Sequence, residues 1–237
     1  MNGRSSEPVL AMIGGEAPDS PQSEQNVEMV ASWNRVRTGS SGEHRALVVV
    51  DVQRDFCPGG ALPAAGCARI IPRINAYLVE AQQLGLPIYA SRDWHPAVTA
   101  HFKPYGGEWP PHCVQGSAGA EFHPGLELPA SATIISKGHD PDRPGYSAFD
   151  GLTADGRTFL TDLRHRHVET LYVAGLTTEY CVKQTTLDAL RAGLRVSVLT
   201  DAIAGIDAHP GDVDRALTEM ARAGAELTTD LAATRTR

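Results

Sequence analysis

Residues 45–51, Arg-Ala-Leu-Val-Val-Val-Asp (RALVVVD), contain an unbroken apolar run from Ala46 to Val50 that ends in an acid, Asp51. A continuous run of this kind, without polar alternation, is typical of a strand buried on both faces of a parallel sheet. The segment therefore predicts that the folded domain begins at Arg45 with a central strand.

Strands and helices are predicted to alternate after this segment. Apolar residues at helical spacing from Ile70 to Leu84 predict a helix that ends at Gly85. Further strands are predicted over residues 86–91, 133–136, 169–174, 194–200 and 226–228, and further helices over 158–166, 178–192 and 210–222. The alternation predicts an α/β fold, a three-layer α/β/α architecture with a central, mainly parallel sheet of Rossmann-like topology.

The ends of the chain and its composition set the domain organisation. Residues 1–44 are rich in Ser, Gly, Glu, Gln and Pro, and we expect a disordered N-terminal extension with one short helical turn around residues 27–33. An alternative is a downstream start, since Met29 lies closer to the domain. Residues 45–237 are predicted to form one domain, which suits a chain of 237 residues.

Charge and hydropathy exclude several classes of partner. The formal net charge is -7 and the pI is about 5.7, which argues against nucleic acid or an anionic membrane as the main partner. No run approaches the roughly 20 apolar residues of a membrane helix, and the apolar patch at residues 9–13 is too short for a signal peptide. The predicted location is the cytoplasm. Whether the chain forms a homo-oligomer stays open.

The cysteines are predicted to be reduced. There are four, and they form no CxxC pair. A chain of this length can bury enough surface without disulfides, and thiols stay reduced in the cytoplasm. The four are Cys57, Cys67, Cys113 and Cys181.

Chemically distinctive residues follow several of the predicted strands. Asp51 ends the first strand, Asp93 follows the second, Lys137 follows the third, and Cys181 lies in the turn after the fourth. Ligands of open parallel sheets bind outside the carboxyl ends of the strands. We therefore expect these side chains to lie along one edge of the sheet.

A cluster of one carboxylate and three imidazoles lies in the loop after the second strand. These residues are Asp93, His95, His101 and His112. Such a ligand set suits one divalent metal, Zn, Fe or Mn, with room for water or substrate. The alternative is a polar surface loop in which three histidines occur without a metal.

Cys181 is a candidate nucleophile because it is placed at the start of a predicted helix. Unpaired backbone N–H groups and the helix dipole favour an anion there, and we expect them to lower the pKa of the thiol. Asp51 is a candidate acceptor for the thiol proton, and Lys137 would stabilise the thiolate. The alternatives are a small buried cysteine on a helix and ordinary charges at strand ends.

Five segments of the chain, in order, resemble the nicotinamidase/pyrazinamidase branch of the isochorismatase-like cysteine hydrolases. They are VVVDVQRDFCPGGAL, SRDWHPAVTAHF, EWPPHCVQGSAGAEFHP, ISKGHDP with the later YSAF, and GLTTEYCVKQTTLDALRAGL, within residues 46–230. The resemblance implies an isochorismatase-like fold. It also implies hydrolysis of nicotinamide to nicotinate and ammonia through a cysteine thioester, with pyrazinamide as a second substrate, in NAD salvage.

The resemblance also implies roles for individual residues. The catalytic triad would be Asp51, Lys137 and Cys181. The metal ligands would be Asp93, His95, His101 and His112. Phe56 and Trp109 would flank the substrate ring. The Leu176–Thr177 bond would be a non-proline cis peptide that directs the Thr177 N–H, with the Cys181 N–H, at the substrate carbonyl. Thr177 and Glu179 depart from the family, which often has Ala and Asp there.

Three other functions compete with this interpretation. One is a hydrolase of the same superfamily that acts on a carbamoyl or ureido amide or on isochorismate, which the metal ligands disfavour. Another is a non-catalytic metal- or ligand-binding domain of the same fold, which the intact triad disfavours. The third is a redox-sensing thiol protein, for which Cys181 has no second cysteine nearby in sequence.

Overall fold

The computed structural model describes residues 44–231. The predicted N-terminal extension, up to residue 43, lies outside the described residues, and so do the predicted helical turn at residues 27–33 and the segment 232–237. Within the described range, no helix has the length and apolar content needed to cross a bilayer.

The centre of the domain is a six-stranded sheet in the order β3-β2-β1-β4-β5-β6. Every neighbouring pair is parallel. The strands are β1 (Arg45–Val50), β2 (Ile88–Asp93), β3 (Thr133–Lys137), β4 (Thr170–Leu176), β5 (Arg195–Ala204) and β6 (Glu226–Thr228). The apolar run after Arg45 is therefore a central strand, with neighbours on both sides, and the predicted α/β class and Rossmann-like order are confirmed.

Within residues 44–231, four α-helices lie between the strands, and the connection from β2 to β3 has none. They are α1 (Cys67–Gln83), α2 (Phe159–His165), α3 (Lys183–Arg191) and α4 (Asp212–Ala223). The helix predicted over 178–192 has two parts, because a π-helical segment, Thr178–Val182, precedes α3. Gly85 follows the end of α1 with a φ of 68°, a left-handed conformation that glycine adopts without strain.

Alternate residues of β1 pack on opposite faces of the sheet. Leu47 and Val49 lie in a buried cluster with Ile70 and Ile74 of α1, while Val48 and Val50 lie in a second cluster. That second cluster includes side chains of the other three helices: Phe159, Leu163, Ala189 and Met220. Helices thus cover both faces, which gives the predicted three layers and explains why β1 has no polar alternation.

Strands β1 and β4 approach each other closely at Gly175. This residue pairs with Val50 and has a φ of 114°. A methyl group at position 175 would overlap the carbonyl oxygen of Val50. Glycine at this position lets β4 continue beside β1 up to the turn that carries Cys181.

Two of the cysteines form a disulfide bond, Cys57–Cys67, with a Cα–Cα distance of 5.3 Å. The prediction that all four cysteines are reduced is therefore wrong for this pair. Both sulfurs belong to the buried cluster beneath α1, and the bond joins the loop after β1 to the first residue of α1. Cys113 and Cys181 are free and buried.

Candidate active site

The ends of four strands bring together the four side chains that the sequence predicts at one sheet edge. Asp51 directly follows β1, Asp93 and Lys137 are register partners at the ends of β2 and β3, and Cys181 lies in the π-helical segment after β4. All four are buried. A buried carboxylate or ammonium needs a charged or hydrogen-bonding partner, so their mutual contacts decide what the site can do.

Lys137 is the centre of this group. Its Nζ lies 2.8 Å from Asp51 Oδ2, 2.5 Å from Asp93 Oδ1 and 3.4 Å from Cys181 Sγ, and it donates to the Gly145 carbonyl at 3.2 Å. One ammonium group therefore contacts two carboxylates and the thiol. The ligand atoms of Asp51, Asp93 and Cys181 all lie within 4.8 Å of one another.

Burial and these contacts shift the pKa values of the buried groups in different directions. Burial raises the pKa of Asp51 even though Lys137 opposes the shift. For Asp93, burial also favours the neutral form, but Lys137 and His95 outweigh it and hold the pKa below its ordinary value. Burial disfavours the charge of Lys137, yet the two carboxylates hold its pKa well above the ordinary value.

The pKa of the Cys181 thiol is shifted in the opposite direction from the one expected. Burial raises the pKa of Cys181 well above the ordinary value, and Lys137 offsets this only in part. The expectation of a thiol pKa lowered by the helix is therefore wrong, because the buried sulfur has lost the water that would solvate a thiolate. Asp51, whose pKa is also raised, is the carboxyl group adjacent to this thiol, with an oxygen within 4.8 Å of the sulfur.

Short polar contacts fix the two carboxylates. Ser91 Oγ donates to Asp51 Oδ1 at 2.7 Å. Gln53 holds the backbone of Asp93 from both sides, since its Nε2 donates to Asp93 O and its Oε1 accepts from Asp93 N, each at 2.8 Å. The loop after β1 thus orients the end of β2. Gln53 was not predicted, although it lies two residues after Asp51 in the quoted motif.

The three histidines converge beside Asp93. One ring nitrogen from each of His95, His101 and His112 lies within 4.8 Å of the others. His95 Nδ1 is 2.9 Å from the Gly138 carbonyl, and His112 Nδ1 is 2.8 Å from the Pro110 carbonyl. A ring that donates from Nδ1 to a carbonyl presents the lone pair of Nε2.

These donors fit a divalent cation. Asp93 Oδ2 lies 3.5 Å from His95 Nε2 and 3.9 Å from His112 Nε2, and His95 Nε2 makes no hydrogen bond within residues 44–231. Burial, with the charges of His95 and His112, lowers the pKa of His101 to about 4, and burial lowers that of His112 as well. Neutral imidazoles and an ionised carboxylate are the forms that bind Zn, Fe or Mn.

A cavity with aromatic walls opens onto the thiol. It contains both predicted ring-binding residues, Phe56 and Trp109, together with Cys181, His101 and His112. Its other lining residues are Leu62, Asp93, Tyr146, Thr177, Tyr180 and Ile206. An apolar cavity with a few convergent polar groups is the usual form of a small-molecule site.

Several lining residues were not predicted. Tyr146 accepts a hydrogen bond from Trp109 Nε1 at 3.0 Å, and Tyr180 packs edge-on against Trp109 with ring centroids 5.0 Å apart. Tyr146 lies in the quoted YSAF segment and Tyr180 directly precedes Cys181, so both carry a signal in the sequence. Leu62 is the last residue of the quoted segment VVVDVQRDFCPGGAL, whereas Ile206 comes from a loop with no such signal.

The Leu176–Thr177 peptide bond is cis, as the resemblance implied. Thr177 is buried and lines the cavity, and its carbonyl accepts hydrogen bonds from Tyr180 N and Val182 N, both at 3.1 Å. The turn between β4 and the π-helical segment is thereby fixed against the cavity that contains Cys181.

Comparison with known proteins gives consistent matches over the described domain. The family model described as Isochorismatase domain matches residues 45–230. The nicotinamidase of Escherichia coli K12 is 41% identical over 201 residues, 78% of this chain and 94% of that protein. The nicotinamidase/pyrazinamidase of Mycobacterium tuberculosis H37Rv is 41% identical over 186 residues, 77% of this chain and 97% of that protein.

A solved structure is similar over the same region. The crystal structure of the pyrazinamidase of Pyrococcus horikoshii in complex with zinc is 45% identical, with a TM-score of 0.73. The match covers 79% of this chain and 99% of that one.

Proposed function

The chain belongs to the isochorismatase family, and we propose that it is an amidohydrolase that converts nicotinamide to nicotinate and ammonia. Pyrazinamide, which has a similar ring and the same amide, is proposed as a second substrate. The observation that carries the proposal is the position of the Cys181 sulfur. It lies 3.4 Å from Lys137 Nζ, in a cavity whose walls include two aromatic rings and two histidines of the cluster.

The proposed reaction begins with the transfer of the Cys181 proton to Asp51. The sulfur forms a bond to the amide carbon, and the carbonyl oxygen gains a negative charge. The backbone N–H groups of Thr177 and Cys181 are proposed to stabilise this oxyanion, a donor of this kind being worth about 3 kcal/mol in a comparable site. Lys137 compensates the charge that moves between Cys181 and Asp51.

Collapse of the adduct breaks the carbon–nitrogen bond. Asp51 returns its proton to the departing nitrogen, so ammonia leaves and a thioester remains on Cys181. Asp51 then accepts a proton from a water molecule, whose oxygen attacks the thioester carbon and releases the carboxylate product. Asp51 passes the proton it took from the water to the Cys181 sulfur, which restores the thiol, and the second proton of the water leaves the carboxylic acid product to solvent. The raised pKa of Asp51 suits both roles, since a base that must later act as an acid works best when its pKa is not far below the working pH.

The aromatic and histidine residues are proposed to select the substrate. Phe56 and Trp109 would hold the ring, which removes it from water and places the amide over Cys181. Asp93, His95, His101 and His112 would hold one divalent metal, Zn, Fe or Mn. When bound, this metal would bind the pyridine nitrogen and withdraw electrons from the ring. The zinc complex of the Pyrococcus relative supports this part of the proposal.

The proposal is tested by measuring ammonia release from nicotinamide with full-length protein, before and after chelation and metal restoration. Cys181→Ala should abolish turnover and retain the bound metal, because the sulfur belongs to a different group of side chains from the three histidines. Cys113→Ala is the matched control, since Cys113 is also free and buried but does not line the cavity. Normal turnover by Cys181→Ala would refute the covalent mechanism.

The assay also separates this function from its nearest rival. A ureido amide and a carbamoyl amide, run beside nicotinamide, test the other amidohydrolases of the superfamily. Activity on these linear compounds without activity on nicotinamide would contradict the proposed substrate.

A further inference from the structure

One buried carboxylate joins the segment that carries the nucleophile to the loop that follows β5. Glu179 lies in the π-helical segment, two residues before Cys181, and is 5% exposed. Its Oε1 accepts hydrogen bonds from Ile206 N at 2.8 Å and Asp207 N at 2.7 Å. A single carboxylate oxygen therefore accepts from two consecutive backbone N–H groups. Hydrogen bonds to an ionised acceptor are stronger than hydrogen bonds between neutral groups.

The loop after β5 has a conformation that accommodates the Glu179 carboxylate closely. A methyl group on Gly205 would overlap Glu179 Oε2 and a methyl of Val213, so the close approach requires glycine. The backbone of Asp207 has a φ of 53°, and its Oδ1 accepts from Val213 N, near the start of α4, at 3.3 Å. The loop is thus attached to the nucleophile segment on one side and to α4 on the other.

The residue that this carboxylate holds faces the cavity. Ile206 lines it together with Phe56 and Cys181, while Glu179 itself does not line it. We propose that Glu179 is a positioning residue that sets the affinity of the site for an aromatic amide by holding Ile206 against the ring. The inference rests on the proposed function for the identity of the substrate, but the placement of the loop by Glu179 does not.

The expected kinetic effect follows from what Ile206 can contact. An apolar side chain at the ring contributes equally to the bound substrate and to the transition state, since the ring does not change during the reaction. Loss of such a contact raises KM and leaves kcat unchanged. A contact the size of one methylene group in an apolar pocket is worth about tenfold or more.

Two nearly isosteric variants provide the test. Glu179→Met keeps the length of the side chain and removes the acceptor, whereas Glu179→Gln keeps a carbonyl oxygen for the two N–H groups. Glu179→Met should raise KM for nicotinamide about tenfold with kcat within about twofold, and Glu179→Gln should restore KM to near the wild-type value. Should Glu179→Met fail to fold, Gly205→Ala displaces the same carboxylate and should raise KM in the same way.

The coupling to Ile206 is tested with a double-mutant cycle. Ile206→Ala should raise KM by itself, and Glu179→Met should add little to it because both changes remove the same contact. Glu219→Ala on α4 is the control, since Glu219 is exposed and its partner within residues 44–231 is Lys183. Additive effects on KM, or a loss confined to kcat, would overturn the proposal.

Amide hydrogen exchange gives a readout that needs no activity. The N–H groups of Ile206 and Asp207 should exchange at least tenfold faster in Glu179→Met than in Glu179→Gln. Equal protection in the two variants would show that Glu179 does not hold the loop. If the wild type released no ammonia from nicotinamide while this difference in exchange was present, the proposed function would fail and the positioning role would stand.

Discussion

Replacing Lys137 with methionine removes the cation from a fully buried group with two carboxylates. Lys137 Nζ lies 2.8 Å from Asp51 Oδ2 and 2.5 Å from Asp93 Oδ1, and both Lys137 and Asp51 have no exposed surface. Removing one partner of a buried ion pair costs about 3–5 kcal/mol, because the other charge stays buried without compensation. We expect Lys137→Met to lower the free energy of unfolding by about 4 kcal/mol.

The measurement is urea unfolding in chelating buffer without reductant, which keeps the metal absent and the disulfide intact. With an m value of about 2 kcal/mol/M, the midpoint should fall by about 2 M. Lys183→Met is the control, because Lys183 pairs with the half-exposed Glu219 at 3.2 Å and a pair of that kind contributes about 1 kcal/mol or less.

A second substitution tests the reason for the loss. Asp51→Asn in the Lys137→Met background removes one of the two uncompensated charges and should recover part of the lost stability, although Asp51→Asn alone destabilises the wild type. The reasoning would be refuted if Lys137→Met cost less than the control or if Asp51→Asn added a further loss to it.

Two other predictions concern the disulfide and the histidines. Replacing both Cys57 and Cys67 with alanine opens a loop closed over a sequence separation of 10 residues, so the free energy of unfolding should fall by about 3 kcal/mol. In thermal unfolding, the Tm of this variant should fall by about 6–12 °C. The Tm of the wild type in reductant should fall by the same amount. A variant whose Tm still depends on reductant would contradict the assignment of the disulfide. His112→Ala should weaken zinc binding by at least ~10-fold in competition titrations, whereas His123→Ala, outside the histidine cluster, should match wild type.

The fold was predictable because its signals are local. Two patterns predict by themselves which residues are buried: the apolar run from Ala46 to Val50 and the helical spacing from Ile70 to Leu84. The rule that ligands bind at the carboxyl ends of parallel strands then placed Asp51 and Lys137 at one edge. The structure brings them together as expected, since the end of each strand follows from the end of its apolar run.

The features that the sequence did not predict depend on contacts between loops that are distant in sequence. Cys57 and Cys67 lie in a segment without periodicity, and the sequence alone does not show that the loop returns to the start of α1. Ile206 lines the cavity from the loop after β5, and its backbone N–H donates to Glu179, a contact between segments 27 residues apart in sequence. The direction of the Cys181 pKa shift was also missed, since burial of the sulfur raises the pKa more than the charge of Lys137 lowers it.

The position of β1 between β2 and β4 has a consequence for how the protein refolds. Val50 pairs with Ser91 on one side and with Gly175 on the other, so completing the sheet requires contacts between distant parts of the chain. Such contacts close long loops and form slowly. Asp51 directly follows β1 and Cys181 lies in the segment after β4, so their contact depends on the pairing of these two strands. We therefore expect regained turnover to report this long-range pairing rather than collapse or helix formation.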